Sequence, residues 1–353
     1  MFKLPENRLT YFTFAIIMAS LAAVSFGSLS EHLFDTDDQE WSNELLTSLE
    51  NPSYYFFSNR IFSVRPPVDL VYFASYFLSD NNPAAYHVIQ ILLHLAASLL
   101  LAYTFRQFGI GLELSLLSAL LFLMNTAHFR AIHWISCLCY ILALIFVLGV
   151  LICFIRFLQS RRTGWLVGTM LALTAAISSH PSTVSLTLFC IYMSWRKSGS
   201  IRQAFLLSKS LIAVTLVCGI LIYLGGAQSN QVHGISTSPN LIHILKNLFW
   251  FLGRLITSAH WLPLGLSDKP DFWELSVGLL TCTLIFVLLQ RRLFPVSDWA
   301  IWSFLMILPF INHPPSEIRW LPAGPSRQLY LPSIGSSFVL AWIIWKLSHQ
   351  IGS

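Results

Sequence analysis

Residues 136–157 read SCLCYILALIFVLGVLICFIRF, an apolar run with no charge before Arg156. A helix needs about 20 mostly apolar residues to cross the hydrocarbon core of a bilayer, and this run is long enough. The rest of the chain has the same character. Of its 353 residues 55% are hydrophobic and only 10% charged, with a mean hydropathy of +0.65. That is too little charge to cover a water-facing surface, so lipid must solvate most of the exterior. The expected fold is all-α: a polytopic helical membrane protein forming a single transmembrane domain over residues 1–353.

Working outward by length and flanking charge adds runs at 10–29, 84–105, 112–127, 164–179, 182–195, 205–225, 272–290, 297–312 and 331–347. The expectation is about ten transmembrane helices. The run at 10–29 follows Lys3 and Arg8 and is long for a cleaved signal core, so it is read as a retained first span. Threading from a cytoplasmic N-terminus puts Lys3, Arg8, Arg106, Arg156, Arg161, Arg162, Arg196, Lys197, Arg202, Lys209, Arg291, Arg292 and Lys346 inside. Only Glu6, Glu113 and Asp298 of the 16 acids join them. This is the bias of the positive-inside rule. It predicts an N-in, C-in multi-pass protein, placed here in a bacterial inner membrane.

Two extracytoplasmic segments are more than turns. Residues 30–83 begin with the acidic stretch EHLFDTDDQEW (31–41) and contain VDLVYFASYFLS (68–79), too short to span and suited to lie as a juxtamembrane helix. Residues 226–271 mix aromatics with His243, Lys246, Arg254 and His260, as an interfacial or re-entrant helix would. The six cysteines lie in or beside apolar runs and read as small hydrophobes, with no disulfide framework.

Several residues stand out against this apolar background. Asp37 and Asp38 follow closely on the outer end of the first span. Adjacent acids there can share a divalent cation, or one can serve as a general base while its neighbour raises its pKa. Arg65, in VRPP, and Arg327, in GPSRQLYLP, lie on the outer side. Guanidinium forks match phosphate oxygens bidentately, although on the residues alone snorkelling or pairing with the acidic loop is slightly favoured. His87, Gln90 and His94 recur at helical spacing in YHVIQILLH, so they approach one face of a helix. They either touch substrate or staple helices together, and for the deeper His94 the staple is favoured. Arg130 stands between His128 and His133 in HFRAIHWIS. No glycine-rich nucleotide cradle is present, the inner loops are too short for a soluble catalytic domain, and no basic cluster suits nucleic acid. Chemistry, if any, belongs on the outer face. A secondary transporter fits less well, because charge gathers at helix ends and not at mid-membrane.

Four passages in order, FDTDD (34–38), RPPVDLVYFASYFLSDNNPAAYHVIQILLH (65–94), HFRAIHWIS (128–136) and RQLYLPSIG (327–335), resemble the polytopic GT-C glycosyltransferases. The likeness is to bacterial relatives of the transmembrane O-mannosyltransferases that carry tetratricopeptide repeats, without the repeat domain. The resemblance implies transfer of a sugar from a polyprenyl-phosphate donor to a protein or glycan acceptor. It implies Asp37 or Asp38 as catalytic base, and Arg327, Arg65 and Tyr330 near the donor phosphate. His87, His94 and Arg130 are further polar positions of substrate-binding or structural kind. The chain departs from the family at Arg130, where a glutamate is common, and at Leu138 and Tyr140, where Arg and Asp are. His180-Pro181 replaces a Lys-Glu pair, and Ser326 an acid. Those departures give the alternative: a non-catalytic GT-C-like membrane subunit that binds a lipid head group or a protein partner.

Overall fold

A computed structural model describes residues 8–34, 36–57, 65–226, 240–257, 271–312 and 326–351. Among the described residues there are helices and turns and no strand. Five helical segments are long and apolar enough to cross a membrane: Leu9–Glu31, Pro83–Gln107, Ile135–Ser160, Ile201–Ile222 and Phe272–Gln290. The chain is thus a helical, membrane-embedded, multi-pass protein. The expected count of about ten is higher because several apolar runs make shorter helices. Leu112–Leu123, Thr163–Ser179 and Val296–Phe310 are apolar helices of 10–17 residues.

In chain order the helices are α1 (Arg8–Phe26), α2 (Thr36–Glu50), α3 (Pro52–Phe57), α4 (Pro66–Ser79), α5 (Pro83–Gln107), α6 (Leu112–Leu123), α7 (Arg130–His133) and α8 (Leu138–Ser160). They continue with α9 (Thr163–Ser179), α10 (Leu186–Ser198), α11 (Ile201–Gly226), α12 (Leu241–Thr257), α13 (Phe272–Gln290), α14 (Val296–Ile307) and α15 (Ser333–Ile351). Local chemistry sets several ends. Asn82 caps α5, accepting the Ala84 N–H at 3.0 Å ahead of a first-turn proline. Asp271 caps α13 through the Glu274 N–H at 2.7 Å. The segment 68–79 is helical, within α4, which ends at Asp80 in the left-handed region.

Burial separates centre from rim. The most apolar stretch of α8 is 72% buried inside the protein, that of α11 only 11%. The run at 136–157 therefore forms the core, packed on α5 and α9, while α11 turns Leu216, Ile220 and Leu224 outward to lipid. Near the other edge, α12 docks lengthwise on α13. A Cβ at Gly278 would overlap the Phe249 carbonyl, and one at Gly253 the Glu274 carbonyl. Small residues let helix backbones touch where lipid supplies no hydrophobic drive. Gly278→Ala is expected to destabilise the protein by about 1–3 kcal/mol, as overpacking does. Gly219→Ala, where a Cβ meets nothing within 4 Å, should be neutral. Thermal unfolding of the two variants in the same detergent checks the contrast.

Candidate functional site

Between α6 and α8 the chain breaks into short helical turns, the four-residue α7 among them, over residues 124–137. Irregular backbone in this setting must find partners for its peptide groups. Three separate elements supply them. Gln90 of α5 donates its amide to the carbonyls of Ala131, at 2.8 Å, and Trp134, at 2.7 Å. Tyr72 of α4 donates its hydroxyl to the Ile135 carbonyl. Asp38 of α2 accepts the Ser136 N–H on Oδ1 at 2.7 Å. The acidic first loop is thereby tied down on the bundle and does not stream into solvent. Asp38 is buried, Asp37 only partly. Burial, followed by the Asp38 carboxylate, drives the Tyr72 phenol pKa well above its ordinary value. Asp35 lies outside the described residues.

The same stretch holds the arginines. The guanidinium of Arg327 lies 5.5 Å from the centre of the Trp134 ring and that of Arg130 5.1 Å from it. Cys137, at the end of the same stretch, lies within electrostatic reach of Arg327. The Arg130 N–H reaches Ser326 Oγ at 3.4 Å, joining the two arginine segments. Burial lowers the Arg130 pKa, and the like charge of Arg327 lowers it further, with Arg254 a smaller contributor. Asp38 and Arg327 thus meet the bundle at one short stretch, residues 134–137. Arg65 gives its backbone N–H to the Asp69 carboxylate at 3.0 Å.

Tyr330 and His94 sit deeper. His94 Nε2 contacts the Leu123 carbonyl at 3.2 Å, which can only accept, so Nδ1 must accept from the Tyr330 hydroxyl at 2.7 Å. Both are fully buried. This is the helix staple expected for His94, and it places the Tyr330 hydroxyl in the interior and not beside Trp134. A parallel clasp joins His128 Nδ1 to Ser333 Oγ at 2.7 Å. Since that hydroxyl gives its hydrogen to the Tyr330 carbonyl, His128 is the donor. His87 is buried with its ring 6.3 Å from that of His32. Among the described residues neither of its ring nitrogens has a hydrogen-bond partner. Among the described residues no three His, Cys, Asp or Glu side chains are grouped to hold a metal ion.

Two features escaped the sequence reading. Arg254 of α12 pairs with Glu274 of α13, both nearly inaccessible, and Glu274 also accepts the Trp250 indole N–H at 2.7 Å. Arg254 was visible only as one cation in an aromatic run. The second is a ring contact: Tyr140 and His180 lie with ring centres 4.1 Å apart and planes tilted by 33°.

Beside the site an apolar cavity of about 330 Å³ runs between α6, α12, α13, α14 and α15. Leu252, Leu255, Leu280, Leu284 and Leu340 line it, with Asn125 and Ser337 among its few polar walls. Those two are bonded to each other at 3.1 Å, and Asn125 begins the stretch that carries Arg130 and Trp134. Neither a protein-family model nor a curated protein matches this chain.

Proposed function

We propose that this protein is a GT-C-type membrane glycosyltransferase of about ten spans. It moves a sugar from a polyprenyl-phosphate donor to an acceptor hydroxyl on the extracytoplasmic face. One observation carries the reading: Asp38 and Arg327 are held against the same stretch, one by the Ser136 N–H and the other by the Trp134 ring. In the reaction Asp38 takes the acceptor's hydroxyl proton, the oxygen attacks the anomeric carbon, and the bond from that carbon to the phosphate oxygen breaks. The configuration inverts. Charge growing on the departing polyprenyl phosphate meets Arg327 and Arg130, already placed before it arrives. The neighbouring apolar cavity suits the isoprenoid chain. Cytoplasmic N- and C-termini in a bacterial inner membrane complete the proposal.

The test is transfer from a panel of polyprenyl-phosphate hexoses to peptide and glycan acceptors, with purified protein in nanodiscs. Wild type should transfer from at least one donor. Arg327→Ala should lower kcat/KM for the donor about 100-fold or more, the scale on which one preorganised charge-stabilising donor acts. Absence of both transfer and polyprenyl-phosphate binding would refute the proposal. The ring contact of Tyr140 with His180 favours a second reading, a subunit that binds the lipid phosphate without transfer. Saturable binding with no turnover on any donor would select it.

A further inference from the structure

The opposite end of the bundle carries a second cavity, of about 530 Å³, which the glycosyltransferase reading does not use. We propose that it binds the phosphodiester of an anionic phospholipid. Its walls are the turn Phe108–Gly111, the end of α10 with Arg196 and Lys197, the start of α14 with Phe294 and Asp298, and Trp342 and Trp345 of α15.

The cation at its centre is built in. Asp298 is 3% exposed and forms an ion pair with Arg196 while accepting the Tyr192 hydroxyl at 2.8 Å. The Arg196 guanidinium also lies over the Phe294 ring, 3.7 Å from its centre. Fixed on two sides, it keeps 26% of its side chain accessible. One carboxylate and one ring leave other N–H groups of its five-donor fork to face the cavity. Further positive charge surrounds it. Lys197 reaches the Leu158 carbonyl, Lys346 lies 4.9 Å from the Trp342 ring centre, and Arg106 bonds the Ile110 carbonyl at 2.6 Å. The acids nearby are committed: Asp298 to Arg196, and Glu113 to the Trp345 indole N–H at 3.2 Å and His349. An anion is favoured.

The remaining wall is apolar and aromatic, and Leu293 and Phe294 beside it are 42% and 44% exposed. Tryptophan is enriched at the membrane–water boundary. This is the end that charge bias assigns to the cytoplasm, where anionic lipid concentrates and basic pockets between helices take lipid head groups. A head group with acyl chains matches a site with a cationic floor and a greasy rim. Free phosphate would use the floor alone.

Native mass spectrometry of the full chain in detergent, titrated with phosphatidylglycerol and with phosphatidylcholine, tests the site. Phosphatidylglycerol should bind about five- to tenfold more tightly. The double variant Arg196→Met with Asp298→Asn leaves net charge unchanged and strands no buried ion, and it should abolish that preference. Arg162→Gln with Arg202→Gln, which removes two exposed charges at the same end but outside the cavity, should leave it within about twofold. Equal binding of the two lipids, an equal loss in both double variants, or full displacement of the lipid by millimolar inorganic phosphate would each overturn the proposal.

Discussion

Asp38→Asn is expected to reduce sugar transfer by about 10²- to 10⁴-fold, the range that a positioned general base contributes. The substitution separates chemistry from architecture. Asparagine still offers an oxygen where Asp38 Oδ1 now accepts the Ser136 N–H at 2.7 Å, so the stretch that presents Trp134 should stay in place. What is lost is the capacity to take a proton. Asp37→Asn should change transfer by less than threefold, because Asp37 is only partly buried and its neighbour holds the tie. Initial rates with saturating donor, and far-UV circular dichroism of both variants, check the pair. If Asp38→Asn transfers at the wild-type rate, Asp38 is a brace for the peptide group of Ser136 and the catalytic assignment fails.

Arg254→Met should be the most damaging substitution for stability, at about 3–5 kcal/mol, because it leaves the Glu274 carboxylate buried without its cation. Arg254 and Glu274 have side chains 3% and 4% exposed. The indole N–H of Trp250 would remain as a partner for Glu274, yet one neutral donor does not offset a buried charge. Arg254→Met with Glu274→Leu should recover most of the loss, since exchanging both ions for apolar groups of like size is often neutral. The residual cost is the unpaired indole, about 1–3 kcal/mol. Denaturant unfolding in mixed micelles, run as a double-mutant cycle, gives the coupling directly. Additive losses would mean that the pair contributes little.

How far the sequence disclosed this arrangement depended on whether a signal was local. Apolar runs at 84–105, 136–157 and 272–290 reappear as α5, α8 and α13 within a few residues, because length and flanking charge are local quantities. The His94 staple was legible for a similar reason: a lone imidazole deep in an apolar helix must find a partner. Its actual partner, Tyr330, lies 236 positions away and could not be named. Asp37 and Asp38 were indistinguishable in sequence. Only the helical phase of α2 against residue 136 buries one and leaves the other partly exposed. The ion pair of α12 and α13 was invisible, because nothing in either run reveals that two glycines bring those helices into backbone contact. The stretch 124–137 was flagged for its polar side chains, whereas its organising feature is a set of peptide groups satisfied from α2, α4 and α5.

The two histidine clasps bear on how the molecule is assembled. Tyr330 leaves the ribosome 236 residues after His94, and Ser333 205 residues after His128, so both histidines have entered the membrane long before their partners. Until residues 330–333 arrive, a nascent chain carries both imidazoles without these hydroxyl partners. The early helices must therefore wait, loosely gathered or held by the insertion machinery, and ribosome-stalled chains that end before residue 330 should be the forms that quality-control proteases remove first.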